Sequence, residues 1–297
     1  MANSRQKIFI TGGSGFIGRN IAEYFAGQAE VFAPSHQELE LLDEEAVRSY
    51  FRRHDFDVVI HSAVRPGHRN AKDPSHQLDH NCRMFFNLAR NADRFKKFIF
   101  LSSGAVYDAR NYQPKMTEEY FDSHVPADEM GFSKYIAAKY IAQAEKIVEL
   151  RIFGIFGKYE DYAIRFISNM IGKTLFDLPL TMKQDRKFDY LYIDDLMPVL
   201  EHFINNKSEF KAYNVTPDRS VELKDLAEKV KKISGKNLPI KVAQPGLGVE
   251  YSGDNTRLRQ EINGLRFTPI DEAIGQLYAW YLANKSILKK DLLLHDK

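Results

Sequence analysis

Cysteine and tryptophan are almost absent from this 297-residue chain, which contains one of each. The single cysteine, Cys82, cannot form an intramolecular disulfide, so the sequence fits a reducing compartment. No run of apolar residues approaches the ~18 that a membrane-spanning helix needs. The N-terminal residues enter a predicted strand at once, which leaves no room for a signal peptide. These absences predict a cytoplasmic protein that has no membrane partner.

An excess of charge of one sign is also missing. The chain has 42 Lys and Arg against 40 Asp and Glu, a formal net charge of +2. A dedicated nucleic-acid-binding protein usually carries a concentrated basic stripe, so we expect no nucleic-acid partner. The hydrophobic content of 44% and charged content of 28% are typical of a globular protein, and the length allows one large domain or two modest ones.

Apolar strand-like runs alternate with helical patterns through the first half of the chain. The predicted strands are KIFITG, AEVFAP, FDVVIHSA and KKFIFLSS, and helical patterns such as GFIGRNIAEYFAG and DEEAVRSYFRRH lie between them. A chain that alternates in this way forms a parallel sheet with helices on both faces. The sequence therefore predicts an α/β fold with a Rossmann doubly wound parallel sheet. A further strand lies in VELRIFGIFG, after which the alternation weakens.

A glycine-rich loop, ITGGSGFIG, joins the first predicted strand to the first helix. Gly12, Gly15 and Gly18 have the spacing G-x-x-G-x-x-G. Glycine removes the Cβ that would hold a pyrophosphate off the backbone, and the helix N-terminus offers free N–H groups to phosphate. The position between a strand and a helix favours a dinucleotide site over a plain turn. Phe16 and Ile17, which open the helix, are predicted to lie beside the cofactor.

Several motifs resemble, in the same order, those of the extended short-chain dehydrogenases, the family of nucleotide-sugar epimerases, dehydratases and reductases. They are the fingerprint TGGSGFIG, Asp43 of LLD near the adenine, Ala63 in VVIHSAV beside the cofactor, Asn81, LSSGAVY and RKFDYLYIDDL. The resemblance covers nearly the whole chain. It implies a nicotinamide cofactor, a nucleotide-linked sugar substrate and a homodimer built on the helix KYIAAKYIAQAEKIV, for which a buried monomer helix is the alternative.

The same resemblance divides the chain into two parts. Residues 1–157 and 188–214 are predicted to form the NADP-binding Rossmann domain. Residues 158–187 and 215–297 are predicted to form a smaller C-terminal α/β domain that binds the nucleotide sugar.

The end of the second predicted strand bears on the choice of cofactor. An NAD-specific site usually has Asp or Glu there, bound to the ribose 2′-OH. Here VFAPSHQ places Ser35 and His36 instead, a pattern similar to the reductases of the family that use NADPH, although those often carry Arg. We predict NADP(H), with Ser35 and His36 on the 2′-phosphate and Arg19 or Arg65 as further ligands. The alternative is that these are loop residues without a role.

The segment DEMGFSKYIAAKY allows two registers for the family's catalytic Tyr and Lys. The usual flank Y-G-x-S-K falls on Met130 to Lys134, with Met in place of Tyr, whereas Tyr135 and Lys139 form the pair without that flank. Five residues turn a side chain by about 140° and advance it by about 7.5 Å, so both pairs cannot face one nicotinamide. The flank predicts that Met130 and Lys134 face the cofactor and that Tyr135 has a packing or interface role.

The resemblance also implies the chemistry. Ser103 matches the family's Ser or Thr that binds the substrate carbonyl, and Lys134 matches the Lys that holds the nicotinamide ribose. Gly104 and Ala105 stand where dehydratases carry Asp and Glu, which argues against elimination. Met130 cannot donate a proton, which argues against a retaining epimerase and favours one-way reduction with a proton from Ser103, water or another nearby acid.

These residues predict an NADPH-dependent reductase of a nucleotide-linked sugar carbonyl. A narrower resemblance is to reductases that convert CDP-6-fructose to CDP-6-glucitol. Two alternatives stay open: a 4-keto-6-deoxyhexose reductase or epimerase, and an NADP-binding sensor or scaffold without catalysis.

Three residues of the second half are candidate substrate ligands. Arg186 matches the family Arg that holds the diphosphate, Arg257 lies where the family contacts base or phosphate, and Tyr162 is a candidate proton donor. Asp194 and Asp195 are expected to cap the following helix. His76 and His80 have i, i+4 spacing, but no third ligand is evident, so we expect a solvated helix face and no metal.

Overall fold

The central element is a six-stranded sheet in which every neighbouring pair is parallel. In the computed structural model, which describes residues 5–67, 70–71 and 74–294, the sheet strands are β1 (Lys7–Thr11), β2 (Glu30–Phe32), β3 (Phe56–His61), β4 (Phe95–Ser103), β5 (Ile147–Ile152) and β10 (Ala212–Val215). Their order is β10-β5-β4-β3-β1-β2. The order of the strands reverses between β1 and β3, and doubly wound sheets bind ligands at this point of reversal. The predicted fold class is confirmed.

Helices cover both faces of this sheet, because successive strand residues point to opposite sides. Along β1, Ile8 and Ile10 belong to one buried core and Phe9 to the other. The helices are α1 (Phe16–Phe25), α2 (Glu44–Arg53), α3 (Gln77–Ala89), α4 (Glu129–Ile141), α5 (Phe166–Leu175), α6 (Leu196–Asn205), α7 (Leu223–Ser234), α8 (Thr256–Glu261) and α9 (Ile270–Ala283). The core under Ile8 and Ile10 includes α1 and α5 to α9, and the core around Phe9 includes α2, α3 and α4.

The remaining strands are short and pair in twos. They are β6 (Ile155–Phe156), β7 (Leu180–Asp185), β8 (Lys187–Phe188), β9 (Leu191–Tyr192), β11 (Val221–Glu222) and β12 (Ile240–Leu247). The parallel pair β7–β12 was not predicted, because β12 is largely exposed and its sequence, IKVAQPGL, lacks an apolar period. This pair lies within the segments assigned to the substrate domain. The division into two domains remains a prediction, since one buried core runs from the sheet into α5, α7 and α9.

Asp195 corrects one expectation for this region. Its carboxylate accepts hydrogen bonds from Thr268 N and Thr268 Oγ1, at 3.0 and 2.6 Å, and makes no capping bond to α6. It therefore holds the segment before α9 against the start of α6. The expected capping role of Asp195 is wrong, because its buried oxygens find donors from a distant segment instead.

Candidate active site

The glycine loop forms a tight turn between β1 and α1. Gly12 has φ +70°, and Gly15 N donates to Gly12 O at 2.9 Å. A Cβ on Gly18 would overlap that carbonyl oxygen and lie 2.7 Å from Ser62 Oγ. The first turn of α1 contains no acidic residue and its N-terminus has no side-chain cap. The N–H groups at the start of α1 therefore remain available to an anion, and the turn fits a dinucleotide pyrophosphate.

Thr11 joins this loop to the loop that follows β3. Its Oγ1 accepts from Ser62 N and Ala63 N, at 3.2 and 3.1 Å, and lies 2.7 Å from His61 Nδ1. Because two N–H groups already donate to this oxygen, its own proton points to Nδ1, and the imidazole proton is on Nε2. Burial, together with the nearby charge of Lys134, lowers the pKa of His61 to about 3. His61 is therefore a neutral wall of the site.

Asn81, on α3, holds the next part of this loop. Its Oδ1 accepts from Arg65 N at 2.7 Å, and its Nδ2 donates to Arg65 O at 3.4 Å. The same Nδ2 lies 3.8 Å from the sulfur of Met130. The predicted helix Asn thus connects the cofactor-side loop with the helix that carries Met130.

The two candidate pairs on α4 face different parts of the molecule. Met130 and Lys134 line a cavity with His61, Ala63, Asn81 and Phe100. Tyr135 donates to the carboxylate of Asp122, and Lys139 Nζ pairs with the same carboxylate at 2.8 Å. The Tyr135 and Lys139 pair is therefore occupied on the outer side of α4. No tyrosine lines the cavity beside Lys134 from the described part of the chain.

Two local features place α4 against the end of β4. The Asp128 carboxylate accepts from Gly131 N at 2.8 Å and caps the helix. A Cβ on Gly131 would lie 2.7 Å from Ala105 O, so only glycine allows this approach. Ala105 belongs to the 3-10 turn Gly104–Tyr107, which follows Ser103 directly. The close approach brings the first turn of α4 to the serine that we predict to bind the carbonyl.

Lys134 is a cation held in an apolar wall. Its Nζ lies 5.6 Å from the centre of the Phe100 ring, and no carboxylate in the described part of the chain forms an ion pair with it. Burial lowers the pKa of Lys134 to about 8, and the charge of Glu149 acts in the opposite direction. Glu149 is itself already paired, since its Oε2 lies 2.8 Å from Arg151 Nη2. Lys134 is therefore a charge without a partner that an anionic or hydroxyl-rich ligand would stabilise.

The loop after β2 differs from the sequence interpretation. The carboxylate of Glu38 accepts from Ser35 N at 2.7 Å, and Glu40 lies 3.1 Å from His36 Nδ1. The predicted absence of a carboxylate near these two residues therefore does not hold, because the chain folds back on itself within one turn. Asp43, predicted near the adenine, caps α2 through Ala46 N at 3.0 Å.

The candidate substrate residues separate into two groups. Arg186 is half-buried, stacks 4.9 Å from the centre of the Phe188 ring, and pairs with no carboxylate within the described ranges. Arg257 instead donates to Ala212 O at 3.1 Å and pairs with Glu119. The Tyr162 hydroxyl accepts from the backbone N of Lys289 at 3.0 Å, in the C-terminal segment. Of the three, Arg186 keeps the most capacity to bind a phosphate.

Arg19 is also engaged with the protein itself. Its Nε pairs with Glu23 at 3.1 Å, and its guanidinium lies 3.7 Å from the centre of the Tyr159 ring. We therefore assign no phosphate to Arg19.

An aromatic cluster next to Ser103 was missed by the sequence interpretation. Tyr251 lies at its centre, with ring centres 5.0 Å from Tyr112, 4.9 Å from Phe153 and 4.8 Å from Phe188. No spacing rule connects these residues, because they come from four distant segments. The one available signal was Gly104, a glycine where the dehydratases of the family carry a side chain.

His76 and His80 stack with ring centres 5.7 Å apart. The described residues contain no group of three or more His, Cys, Asp or Glu side chains that would hold a metal ion. In the same ranges, every helix is too short or too polar to cross a membrane.

A sequence model of the NAD dependent epimerase/dehydratase family matches residues 8–216, from β1 to the residue after β10. The chain belongs to this family. The match covers the glycine loop, the Ser103 segment and α4 in one continuous stretch. The predicted membership among the extended short-chain dehydrogenases is confirmed.

Curated relatives of this epimerase/dehydratase family member include sugar-nucleotide enzymes. A GDP-L-fucose synthase from Azorhizobium caulinodans is 39% identical over 109 residues, which cover 35% of this chain and 35% of that protein. A GDP-L-colitose synthase from Yersinia pseudotuberculosis is 24% identical over 224 residues, covering 67% of this chain and 72% of that protein. The match to the Azorhizobium protein thus spans about a third of its length.

Solved structures of the family share the fold over almost the whole chain. A GDP-mannoheptose C4 reductase from Campylobacter jejuni, with NADP bound, has a TM-score of 0.79 at 20% identity and covers 95% of this chain and 100% of that one. A GDP-L-fucose synthetase from Naegleria fowleri, bound to NADP, has a TM-score of 0.81 at 15% identity and covers 96% and 97%. At these identities the likeness shows the fold.

Proposed function

We propose that this protein is an NADPH-dependent reductase that converts the carbonyl of a nucleotide-linked sugar to an alcohol. One observation supports the proposal: Met130 and Lys134 line the same cavity, and no tyrosine of the described residues lines it with them. We take Met130 to stand at the position of the family's proton-donating Tyr. A site that must remove a proton and return it needs such a group. A site that only reduces needs a proton once, and any suitably placed acid provides it.

Each residue then has a defined task. The start of α1 and the glycine turn hold the pyrophosphate, and Lys134 holds the ribose hydroxyls next to the nicotinamide. Ser103 orients the carbonyl, and Arg186 binds the diphosphate of the substrate through its planar fork. The bound nicotinamide supplies hydride. Met130 and Phe100 line the pocket with apolar, adaptable surface, which keeps water from the reacting carbon.

An open-chain ketose linked to cytidine diphosphate is the substrate that we propose in particular. Met is flexible and has no hydrogen-bond donor that would fix a pyranose ring, so Met130 suits a less rigid substrate. The relatives named above synthesise GDP-linked sugars according to their names, which supports the wider class of nucleotide-linked sugars. We also propose a homodimer built on α4. The exposed Tyr140 of this helix has its ring centre 5.4 Å from that of Phe86 on α3.

The test measures the oxidation of NADPH and of NADH in the presence of each member of a panel of nucleotide-linked keto-sugars that includes CDP-linked fructose. The loss of absorbance of the reduced nicotinamide reports the oxidation. We expect NADPH turnover with one member of the panel and none with a nucleotide-linked sugar that lacks a carbonyl. Turnover only with nucleotide-linked 4-ketopyranoses would exclude the open-chain ketose as the substrate, while the assignment as a reductase would stand. Tight NADPH binding without any turnover would reject the reductase and favour a sensor or scaffold.

A substitution of Glu38 tests whether the protein prefers NADPH or NADH. This carboxylate occupies Ser35 N, a donor that a 2′-phosphate would otherwise use, and adds a negative charge there. Replacing Glu38 with Gln should therefore lower the Kd of NADPH by about threefold to tenfold, which corresponds to ~0.7–1.4 kcal/mol, and leave that of NADH unchanged. Fluorescence titration measures both. Equal changes for the two cofactors would show that the 2′-phosphate does not reach Ser35.

A further inference from the structure

We propose that the proton in this reduction comes from the hydroxyl of Tyr251, which takes over the role of a tyrosine at position 130, where α4 has Met. The inference rests on the proposed function. It concerns a residue outside the stretch that matches the family model, which ends at residue 216.

The hydroxyl of Tyr251 occupies the space beside Ser103. A Cβ placed on Gly104 would lie 2.8 Å from Tyr251 Oη and 2.7 Å from Phe153 Cε1. Glycine at position 104 is therefore required, because the tyrosine and the phenylalanine already fill the volume that a side chain would take. An acid is thus present next to the carbonyl-binding serine, but it arrives from the far end of the chain.

The hydrogen bonding of Tyr251 leaves its proton available. The backbone N–H of Gly104 lowers the pKa of Tyr251 against the effect of burial. Within the described residues, no acceptor receives the phenol proton. A phenol whose phenolate is stabilised by a nearby N–H is a better proton donor to a third group.

The ring of Tyr251 is held in one position. It is 8% exposed and packs against Tyr112, Phe153 and Phe188. Its backbone is fixed on both sides, since Tyr251 N donates to Lys187 O at 3.0 Å and Tyr251 O accepts from Asp189 N at 3.1 Å. A donor that does not reorient before reaction provides the positioning that intramolecular catalysis needs.

The acidity of Tyr251 suits a donor to an alkoxide. Burial raises its pKa well above the usual value, and the backbone N–H of Gly104 opposes the increase. The phenol is therefore neutral near pH 7 and carries its proton. Bound NADPH would supply the hydride for the new C–H bond and be oxidised to NADP⁺, and Tyr251 would give its proton to the carbonyl oxygen. The phenolate then recovers a proton from water.

The neighbouring Tyr112 is the competing donor. Burial raises its pKa, the charges of Asp128 and Asp108 raise it further, and that of Arg186 lowers it. A Cβ built on Gly104, the residue after Ser103, would meet the Tyr251 hydroxyl at 2.8 Å, whereas no Tyr112 atom is among its three nearest contacts. The geometry therefore favours Tyr251.

The experiment compares Tyr251→Phe, Tyr112→Phe and the control Tyr190→Phe in the full chain. Tyr190 packs on the same Phe188 ring, with centres 4.9 Å apart, and has no task in the proposed reaction. We expect Tyr251→Phe to lower kcat by about 10²–10³-fold, with KM and the Kd of NADPH within about threefold of the unaltered protein. Tyr190→Phe should retain kcat. Adding Met130→Tyr to the Tyr251→Phe variant should raise kcat at least about tenfold above that of Tyr251→Phe alone. A purely structural role of Tyr251 would not predict this increase.

Two results would overturn the inference while leaving the reductase intact: kcat of Tyr251→Phe within about threefold of the unaltered protein, or a large loss in Tyr112→Phe alone. If Tyr251→Phe fails to fold, as judged by loss of NADPH binding, Gly104→Ala replaces it. That variant displaces the same hydroxyl, and full activity in it would reject the role of Tyr251. No turnover by the unaltered protein would instead reject the proposed function, and the inference with it.

Discussion

Replacing Lys134 with Met should lower turnover by about 10²–10³-fold and, at the same time, stabilise the fold. The loss of activity follows from removing the one cation that lines the cavity among the described residues. The gain in stability follows from burial, which lowers the pKa of Lys134 to about 8. Each unit by which the pKa is lowered costs the folded state about 1.4 kcal/mol, and partial access to water reduces the total. We therefore expect the free energy of unfolding of the Met variant to be higher by about 2 kcal/mol at pH 7.

The pH dependence of this gain has a defined sign. Between pH 8 and the ordinary lysine pKa, the unfolded chain binds more protons at this residue than the folded one, so stability from Lys134 rises with pH. Below about pH 8 Lys134 is charged in both states, so the full free-energy cost of burying its charge is present. Urea unfolding should therefore show the advantage of the Met variant undiminished at about pH 6.5 and clearly smaller at about pH 9.5.

Lys139→Met is the matched control for this variant. Lys139 is exposed and paired with Asp122 on the outer side of α4. Its replacement should change neither turnover by more than about twofold nor stability by more than about 0.5 kcal/mol. If Lys139→Met lost activity and Lys134→Met retained it, the opposite register of the catalytic helix would hold.

Replacing Gly18 with Ala should weaken cofactor binding and destabilise the protein. The new Cβ would overlap the carbonyl oxygen of Gly12 and lie 2.6 Å from its carbonyl carbon. These are backbone atoms at the turn itself, so α1 must move away from β1 to relieve the clash. We expect a loss of about 2–3 kcal/mol in the free energy of unfolding. The Kd of NADPH, measured by fluorescence, should rise at least about tenfold, a change of ~1.4 kcal/mol.

Gly275→Ala provides the same substitution where space is free. Gly275 lies inside α9, and a Cβ added there would meet no atom within 4 Å beyond its own helix backbone and chain neighbours. Because glycine is unfavourable in a helix, this variant should gain about 0.5–1 kcal/mol and bind NADPH as before. A Gly18→Ala protein with unchanged melting temperature and cofactor affinity would contradict the close contact in the loop.

The sequence by itself determined the Rossmann sheet and the location of the cofactor loop. Both depend on local patterns: short apolar strands, helices with a period of about 3.6 residues, and glycines placed where β1 turns into α1. The register of the catalytic pair on α4 remains a prediction of the same kind, because Gly131, Ser133 and Lys134 lie within one helix and share the motif's spacing. Such patterns are encoded by neighbours along the chain.

Only the tertiary structure decided which side chains meet from distant segments. It placed Glu38 on Ser35 N, turned Asp195 toward Thr268, and engaged Arg257 and Tyr162 with distant backbone groups. It also brought Tyr251 to Gly104, which no periodicity connects. The reason is physical: a buried polar or aromatic group takes the partner that packing brings within reach, and sequence distance sets no limit on that partner.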